Sequence, residues 1–358
     1  MARVGVAFGG RSVEHQVSIR SARTVIGALV EAGHEVVPLG ISQNGRWLPA
    51  TDSQRAVEGD LDTLGAVDTP LAPSLSHLLD ASIDTLFPVV HGTWGEDGTL
   101  QGLCEMLDLP YVGAGVCASA LAMDKVLCKR QLESSGLPVV EYGSIRGSSF
   151  EADPEKAVGE LPELPFPVFV KPSIGGSSVG VRRVESPADL PSAIAFALRF
   201  DANVLVERGV QGRELECSVL GDRRLEASAV GEILPGNPFY DYEDKYLLDA
   251  AELRIPADLP VDVTARIRTL AVDAFDAIGG HGMARVDFLL EGETDLFINE
   301  INTLPGFTSI SMYPKLWEEV GLSLPDLVDR LVAIAMAVYH RRQTLDEGIK
   351  DWLAQLES

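Results

Sequence analysis

Ten residues between two apolar runs, Lys171-Pro172-Ser173-Ile174-Gly175-Gly176-Ser177-Ser178-Val179-Gly180, carry the first chemical signal of the chain. Glycines and serines let the backbone fold its N–H groups over phosphate oxygens, and a lysine at the end of the preceding strand adds a fixed positive charge. It is not a GxxxxGK[ST] loop, because no GK[ST] leads into a helix. A glycine-rich turn on its own is also an ordinary hairpin. A second cluster is Met283-Ala284-Arg285-Val286-Asp287-Phe288, followed by Phe297-Ile298-Asn299-Glu300-Ile301-Asn302. Strand alternation puts Arg285 and Asp287 on one face, and Glu300 and Asn302 on one face of the next strand. Pairing of the two through a turn near Gly292 would bring together two carboxylates and an amide oxygen, hard donors suited to Mg²⁺. A solvated strand face with paired charges has the same residue types. The apolar neighbours Val286, Phe288, Ile298 and Ile301 argue instead for burial, where acids need partners.

A third element, Tyr240-Asp241-Tyr242-Glu243-Asp244-Lys245-Tyr246, follows Pro235-Gly236-Asn237-Pro238. Alone it reads as a surface loop, with Tyr240 and Tyr242 as packing residues. Over a nucleotide it would serve as a lid that excludes water from a reactive intermediate.

The rest of the chain narrows the classes of function. A net charge of −24 repels nucleic acid, and no basic run offsets it. ATP is repelled as well, so a phosphate site must be a local exception. Of the lysines, Lys125, Lys171 and Lys245 fall inside the motifs, while Lys129, Lys156, Lys315 and Lys350 do not. Cys104, Cys117, Cys128 and Cys217 lack CxxC spacing, which indicates neither a zinc site nor a disulfide framework. The start, MARVGVAFGG, has no signal-peptide pattern, and no apolar run reaches the roughly 20 residues that span a bilayer. A cytoplasmic protein without membrane insertion is expected.

At 358 residues the chain can hold two or three domains, and 46% hydrophobic with 23% charged residues is a globular composition. Strand and helix patterns alternate at the start. Arg3–Phe8, Glu35–Ile41 and Asp84–Val90 read as strands, and Val13 to about Ala32 as a helix stopped by Gly33. This βαβ order predicts an open, mostly parallel sheet. Residues 47–76 are weakly patterned and read as loops or a short hairpin. A second, α+β unit starts near Asp124, with a helix Asp124–Ser135, strands Phe166–Lys171, Val179–Val184 and Asn203–Glu207, and a helix from Ser186-Pro187 to about Phe200. The third begins near Glu214, with strands Glu214–Leu220, Arg224–Val230, Met283–Leu290 and Leu296–Ile301, a helix from Val261 to about Ile278, and a helical C-terminus. The expected domains are residues 1–123, 124–213 and 214–358.

Read in order, a lysine–proline–serine loop, a charged strand, a lid and a D…ExN acidic set resemble the ATP-grasp superfamily. Phe8-Gly9-Gly10-Arg11-Ser12-Val13-Glu14-His15-Gln16-Val17-Ser18 and His91-Gly92-Thr93-Trp94-Gly95-Glu96-Asp97-Gly98-Thr99-Leu100-Gln101-Gly102 resemble signatures of the D-alanine–D-alanine ligases. The closing Asn302-Thr303-Leu304-Pro305-Gly306-Phe307-Thr308-Ser309-Ile310-Ser311 is similar to that family as well. The resemblance spans nearly the whole chain and implies a three-domain ATP-grasp fold that is α/β at the N-terminus and α+β beyond.

By resemblance, Lys125 and Lys171 would contact ATP phosphates, Glu207 and Glu214 would hold the adenine and ribose, and Lys245 would reach the γ-phosphate from the lid. Asp287, Glu300 and Asn302 would hold two Mg²⁺ ions, with Mn²⁺ as a substitute. Glu14 would bind the ammonium of the first D-alanine with support from Ser177 and Tyr246; His91 would lie near it, and Ser311 would take the carboxylate of the second. Arg285 and the Gly306 N–H would stabilise a tetrahedral oxyanion. The resemblance implies a D-alanyl phosphate intermediate, peptidoglycan-precursor synthesis and a homodimer. Tyr246 in its EDKY setting favours an amine over D-lactate as second substrate, with D-alanine–D-lactate or D-alanine–D-serine ligation as the alternative within the superfamily. Two departures from the family pattern, Arg208 in place of lysine and Ile174-Gly175 in place of a more polar pair, remove no required charge. A dinucleotide-binding dehydrogenase is opposed by the missing GxGxxG at Gly9-Gly10, and a non-catalytic relic by the retained lysines and acids. Within the simplest reading of each residue, Glu14 is an acid favoured at a helix start and His91 a structural histidine beside a glycine turn.

Overall fold

Three sheets organise the computed structural model, which describes residues 1–59, 61, 63–234 and 252–357. The first is parallel, in the order β2-β1-β3, from β1 (Arg3–Gly9), β2 (Glu35–Ile41) and β3 (Thr85–Pro88). Its central strand is buried along almost its full length, as expected of a parallel strand covered on both faces. Helix α1 (His15–Glu31) covers it with Ile19, Ala22, Val25 and Leu29 on one buried stripe. The interval 47–76, read as loops or a short hairpin, holds α2 (Ala50–Val57) and the start of α3 (Leu71–Leu79). Each follows a proline, Pro49 and Pro70, and each buries only two residues, Ser53 with Ala56 and Ser74 with Leu78. That is too little apolar surface to print a helical period on the sequence. Helices α4 (Thr99–Met106) and α5 (Val116–Met123) lead to α6 (Lys125–Ser134). Asp124 caps α6 by accepting the Val126 and Leu127 N–H groups, both at 3.1 Å.

The second sheet has the order β4-β7-β5-β6, all antiparallel: β4 (Tyr142–Arg146), β5 (Val168–Pro172), β6 (Arg182–Val184) and β7 (Asn203–Arg208). Helices α7 (Gly147–Ala152), α8 (Pro154–Gly159) and α9 (Leu190–Ala197) accompany it. The helix expected from Ser186 divides into a 3-10 turn over Pro187–Asp189 and α9. The third sheet is antiparallel, β10-β9-β8-β11-β12, from β8 (Gly212–Gly221), β9 (Leu225–Leu234), β10 (Glu252–Arg254), β11 (Gly282–Glu291) and β12 (Asp295–Asn302). Helix α10 (Val261–Ala277) packs Ile267, Ala271 and Phe275 against it, and α11 (Met312–Glu319) and α12 (Leu324–Glu357) complete the chain.

The cores do not follow the sheets one for one. Val4, Val6, Phe8 and Phe87 of the parallel sheet share a cluster with Leu220, Met283, Leu304, Phe307, Tyr313 and Leu327 from the C-terminal part. Cys128 and Leu132 of α6 pack with Leu215, Val286 and Phe288 of the five-stranded sheet. The four-stranded sheet has its own cluster around Val168, Val170, Ile194, Val204 and Val206. Helix α12 is tied to both outer sheets' surroundings: Asp329 accepts from His34 at 3.0 Å and Asp108 from Gln343 at 2.8 Å, while Arg341 pairs with Asp222 and Arg342 with Glu105. Among the described residues no helix is long and apolar enough to cross a membrane.

Candidate active site

Where the three sheets meet lies a cavity of about 430 Å³ lined by Glu14, His91, Glu96, Lys125, Ser177, Glu214, Glu216, Arg285, Asp287, Glu300, Asn302, Gly306 and Ser311. Its N-terminal wall comes from the loops that follow β1 and β3, the carboxyl ends of parallel strands where open sheets bind ligands. Glu14 sits at the N-cap of α1. Its Oε2 approaches both Gly92 and Gly176 so closely that a Cβ at either position would meet it, at 3.0 and 3.4 Å. Gly92 has φ +74°, so its turn requires glycine for backbone reasons too.

His91 is buried and held on both ring nitrogens. Nδ1 lies 3.2 Å from the Leu304 carbonyl and 3.4 Å from Glu96 Oε1, and Nε2 is 3.0 Å from Ser21 Oγ. Burial alone would lower its pKa, but Glu96, Glu14 and the Leu304 carbonyl outweigh that and raise it. Burial and Glu14 raise Glu96 in turn, against the opposing pull of His91. Glu96 was part of the quoted HGTWGEDG motif without a role of its own; it is the partner that makes His91 more than a packing residue.

Lys171 lies near the end of β5, and Ser177 belongs to the loop between β5 and β6. Ser177 and Ser178 are both left-handed, with φ 52° and 58°, a strained conformation for non-glycine residues. The loop is anchored to the start of α6: the Lys125 N–H donates to the Ser173 carbonyl at 2.9 Å, the Lys125 ammonium to the Gly175 carbonyl at 2.5 Å, and Ser173 Oγ to Asp124 Oδ1 at 2.5 Å. Lys171 and Glu207 stand just behind the cavity on adjacent strands β5 and β7 and form an ion pair. Lys129, buried on α6, reaches the other oxygen of Glu207 at 3.0 Å. Burial would raise the Glu207 carboxyl, yet the two ammonium groups hold it at about 2. Burial lowers Lys171, and Glu207, Glu300 and Glu214 outweigh it to give a net rise.

The acidic set forms on β11 and β12 as the alternation predicts. Arg285 faces Asn302 and Asp287 faces Glu300, with a register shift after Asp287. Both nitrogens of an Arg285 fork donate to Asp287, Nε to Oδ1 at 2.7 Å and Nη2 to Oδ2 at 2.6 Å, and Nε also lies 3.1 Å from Glu216 Oε2. Asp287 and Glu216 keep the guanidinium charged despite its burial. Glu216 was not singled out from the sequence; its signal was the Glu214/Glu216 alternation with the apolar Leu215 and Cys217 on β8. Asn302 Oδ1 accepts the Leu304 N–H at 3.0 Å. The donors Asp287, Glu300 and Asn302 suit a hard cation, and among the described residues no group of three or more His, Cys, Asp or Glu encloses a metal. Such a half-set fits Mg²⁺, which takes one or two carboxylates and completes its shell from phosphates and water.

At the far end, Ser311 Oγ accepts the Thr308 N–H at 2.9 Å and lies 2.8 Å from Thr308 Oγ1, at the entry to α11. Gly306 faces it, and a Cβ there would come within 2.8 Å of Ser311 Oγ. Lys245 and Tyr246, with the rest of the expected lid, lie outside the described residues.

A parallel N-terminal sheet followed by two antiparallel sheets around one polar cavity is an architecture shared with solved ligases. The D-alanine-D-alanine ligase from Coxiella burnetii superposes with a TM-score of 0.79 at 34% identity, covering 99% of each chain. The VanG D-Ala:D-Ser ligase from Enterococcus faecalis gives 0.78 at 30%, covering 93% of this chain and 99% of that one. Residues 3–114 match the family described as "D-ala D-ala ligase N-terminus" and residues 131–333 that described as "D-ala D-ala ligase C-terminus". Curated D-alanine–D-alanine ligases from Solibacter usitatus and Halothermothrix orenii are 46% and 44% identical, over 95% and 93% of this chain and 97% and 98% of theirs. The chain belongs to the D-alanine–D-alanine ligase family, and the fold expected of it, ATP-grasp with a parallel N-terminal sheet, is the fold it has.

Proposed function

We propose that the protein joins two D-alanines at the expense of ATP, for peptidoglycan precursor synthesis. The observation that carries this reading is one cavity lined by Lys125 and the phosphate-type loop with Glu14 against it, by the carboxylates and amide of β11 and β12, and by His91, Gly306 and Ser311. Lys125 and Lys171 hold the phosphates, and Glu207 and Glu214 the adenine and ribose. Mg²⁺ held by Asp287, Glu300 and Asn302, in two sites and replaceable by Mn²⁺, would supply charge neutralisation on the phosphates. Lys245 and Tyr246 act from the lid. Glu14, with Ser177 and Tyr246, binds the ammonium of the first D-alanine, and the His91–Glu96 pair fixes the loop beside it.

The γ-phosphoryl group passes to the carboxylate of the first D-alanine, giving D-alanyl phosphate and ADP. The neutral amine of the second, its carboxylate seated at Ser311 and the start of α11, attacks the carbonyl carbon. Arg285 and the Gly306 N–H stabilise the tetrahedral oxyanion. Phosphate then leaves, the amine gives up a proton, and the dipeptide remains. The proposal includes a cytoplasmic homodimer and a division at residues 1–123, 124–213 and 214–358, with α6 bridging the last two.

The likeness to a D-Ala:D-Ser ligase supports a second reading, in which D-serine or D-lactate is the second substrate. Phosphate release from Mg·ATP separates the two when measured with D-alanine alone, L-alanine alone, and D-alanine plus D-serine or D-lactate. D-alanine-dependent release, abolished by EDTA, with the dipeptide seen by mass spectrometry, supports D-alanyl-D-alanine synthesis. Faster release with D-serine or D-lactate moves the protein to the other branch, and no release in any arm refutes the ligase reading.

A further inference from the structure

Lys129 has no part in the chemistry proposed above, yet it is among the most deeply buried charged groups of the chain, 2% exposed. Lysines are almost never fully buried unless paired. Its position is set by α6, one helical turn beyond Lys125, so the two ammonium groups leave the same face of the helix. Lys125 reaches the phosphate-type loop, while Lys129 reaches Glu207 Oε2 at 3.0 Å. Glu207 Oε1 is taken by Lys171. One carboxylate therefore carries two ammonium groups, one per oxygen, with a surplus positive charge at the edge of the nucleotide end of the cavity.

The two lysines differ in what else surrounds them. Lys171 is less enclosed, with 18% of its side chain exposed against 3% for Lys129, and it feels Glu300 and Glu214 as well as Glu207. It interacts both with the acids proposed to hold the adenine and ribose, Glu207 and Glu214, and with Glu300, proposed to hold the metal beside the phosphates. Lys129 is enclosed and has Glu207 as its ion-pair partner, with the Tyr142 ring 5.9 Å from its ammonium.

We infer that Lys129 is a positioning residue of the nucleotide site: it keeps Glu207 charged and fixed through Oε2, which frees Oε1 for the adenine when the Lys171 ammonium turns to the phosphates. The inference rests on the nucleotide reading given above. Its physical basis is the cost of a buried, uncompensated carboxylate. With Lys129 present, Lys171 can leave and Glu207 stays neutralised one for one. Without Lys129, Lys171 is held on Glu207, and the phosphates lose a ligand although no group that touches them has been changed.

The test compares Mg·ADP binding by calorimetry for the full-length wild type, Lys129→Met, Glu207→Gln and the double variant, with KM for ATP and for D-alanine and thermal midpoints alongside. Lys129→Met is expected to weaken ADP at least tenfold and raise KM for ATP in proportion, with KM for D-alanine unchanged within twofold. Adding Glu207→Gln to Lys129→Met removes the charge that traps Lys171, so the double variant is expected to bind ADP at least threefold more tightly than Lys129→Met. A purely structural role would lower the thermal midpoint and leave both nucleotide readouts alone. Wild-type ADP affinity in Lys129→Met, or a double variant no tighter than Lys129→Met, overturns the inference while leaving the nucleotide site standing. Absence of Mg·ADP binding by the wild type overturns the nucleotide reading and the inference with it. Should Lys129→Met not fold, Lys129→Gln, which keeps a donor but no charge, carries the same comparison.

Discussion

Gly306→Ala adds one methyl group against Ser311, at the end of the cavity proposed for the second substrate. The new Cβ would lie 2.8 Å from Ser311 Oγ, closer than real contacts allow. The Gly306 backbone is not left-handed, so alanine strains the neighbour rather than the chain. Ser311 can yield by turning its hydroxyl away, but that hydroxyl accepts the Thr308 N–H at 2.9 Å and bonds Thr308 Oγ1 at 2.8 Å. Two hydrogen bonds at about 0.5–1.5 kcal/mol each give a cost of roughly 1–3 kcal/mol. If Ser311 receives the carboxylate of the second D-alanine, that cost appears in its binding, as about a 5- to 150-fold rise in KM for that site. KM for ATP should not move, because Lys171 and Glu207 stand on the four-stranded sheet and not on the loop that carries Gly306 and Ser311. Coupled ADP release against D-alanine concentration resolves the two D-alanine sites. An unchanged second-site KM would refute the placement of the carboxylate at Ser311, and an equal rise in KM for ATP would show a general distortion instead.

Arg285→Met removes the cation between Asp287 and Glu216, and both acids lose its bonds and its charge. Breaking a buried pair in this way costs about 3–5 kcal/mol, so a lower denaturant midpoint and a fall in kcat of at least a hundredfold are expected together. The Glu207 carboxyl, held at about 2 against an ordinary 4.5, stabilises the fold above its unfolded pKa and loses that contribution as pH falls toward 2. The shift is worth about 3 kcal/mol. Acid titration of stability should therefore be indifferent to the Lys–Glu–Lys cluster from pH 8 to 5, and wild type and Glu207→Gln should converge only between about pH 4.5 and 2. Burial pushes the Cys104, Cys128 and Cys217 thiols up to about 12, while Cys117 is exposed. One equivalent of iodoacetamide is expected to label the native protein and four the denatured chain, read by intact mass.

The parts of the site that lie on strands were legible because alternation fixes the face of each side chain. Arg285, Asp287, Glu300 and Asn302 could be grouped once Gly292 was read as the turn, and the register bears that grouping out. The parallel strands were legible as continuous apolar runs. What the sequence did not show is what comes from pairing across distance. Glu216 becomes a functional neighbour only because β8 sets it opposite Asp287, and Lys129 only because α6 leans on β7. Helices α2 and α3 were invisible for a different reason: short helices that bury two residues each leave no period, and their proline starts also resemble loop punctuation.

The separate core of the four-stranded sheet has a mechanical consequence. The parallel sheet and the C-terminal sheet share one hydrophobic cluster and are strapped by α12, which couples them as a single jaw. The four-stranded sheet, carrying Lys171 and Glu207, is the other jaw, joined through the chain between α6 and β4, the three residues between β7 and β8, and the Arg208–Glu291 ion pair at 3.0 Å. Helix α6 sits in the first jaw's packing. The Lys125–Gly175 and Lys129–Glu207 contacts therefore span the gap and act as its latch. An opening between the four-stranded sheet and α6 would break both at once, so the groups proposed to read ATP would also register whether the jaws are shut.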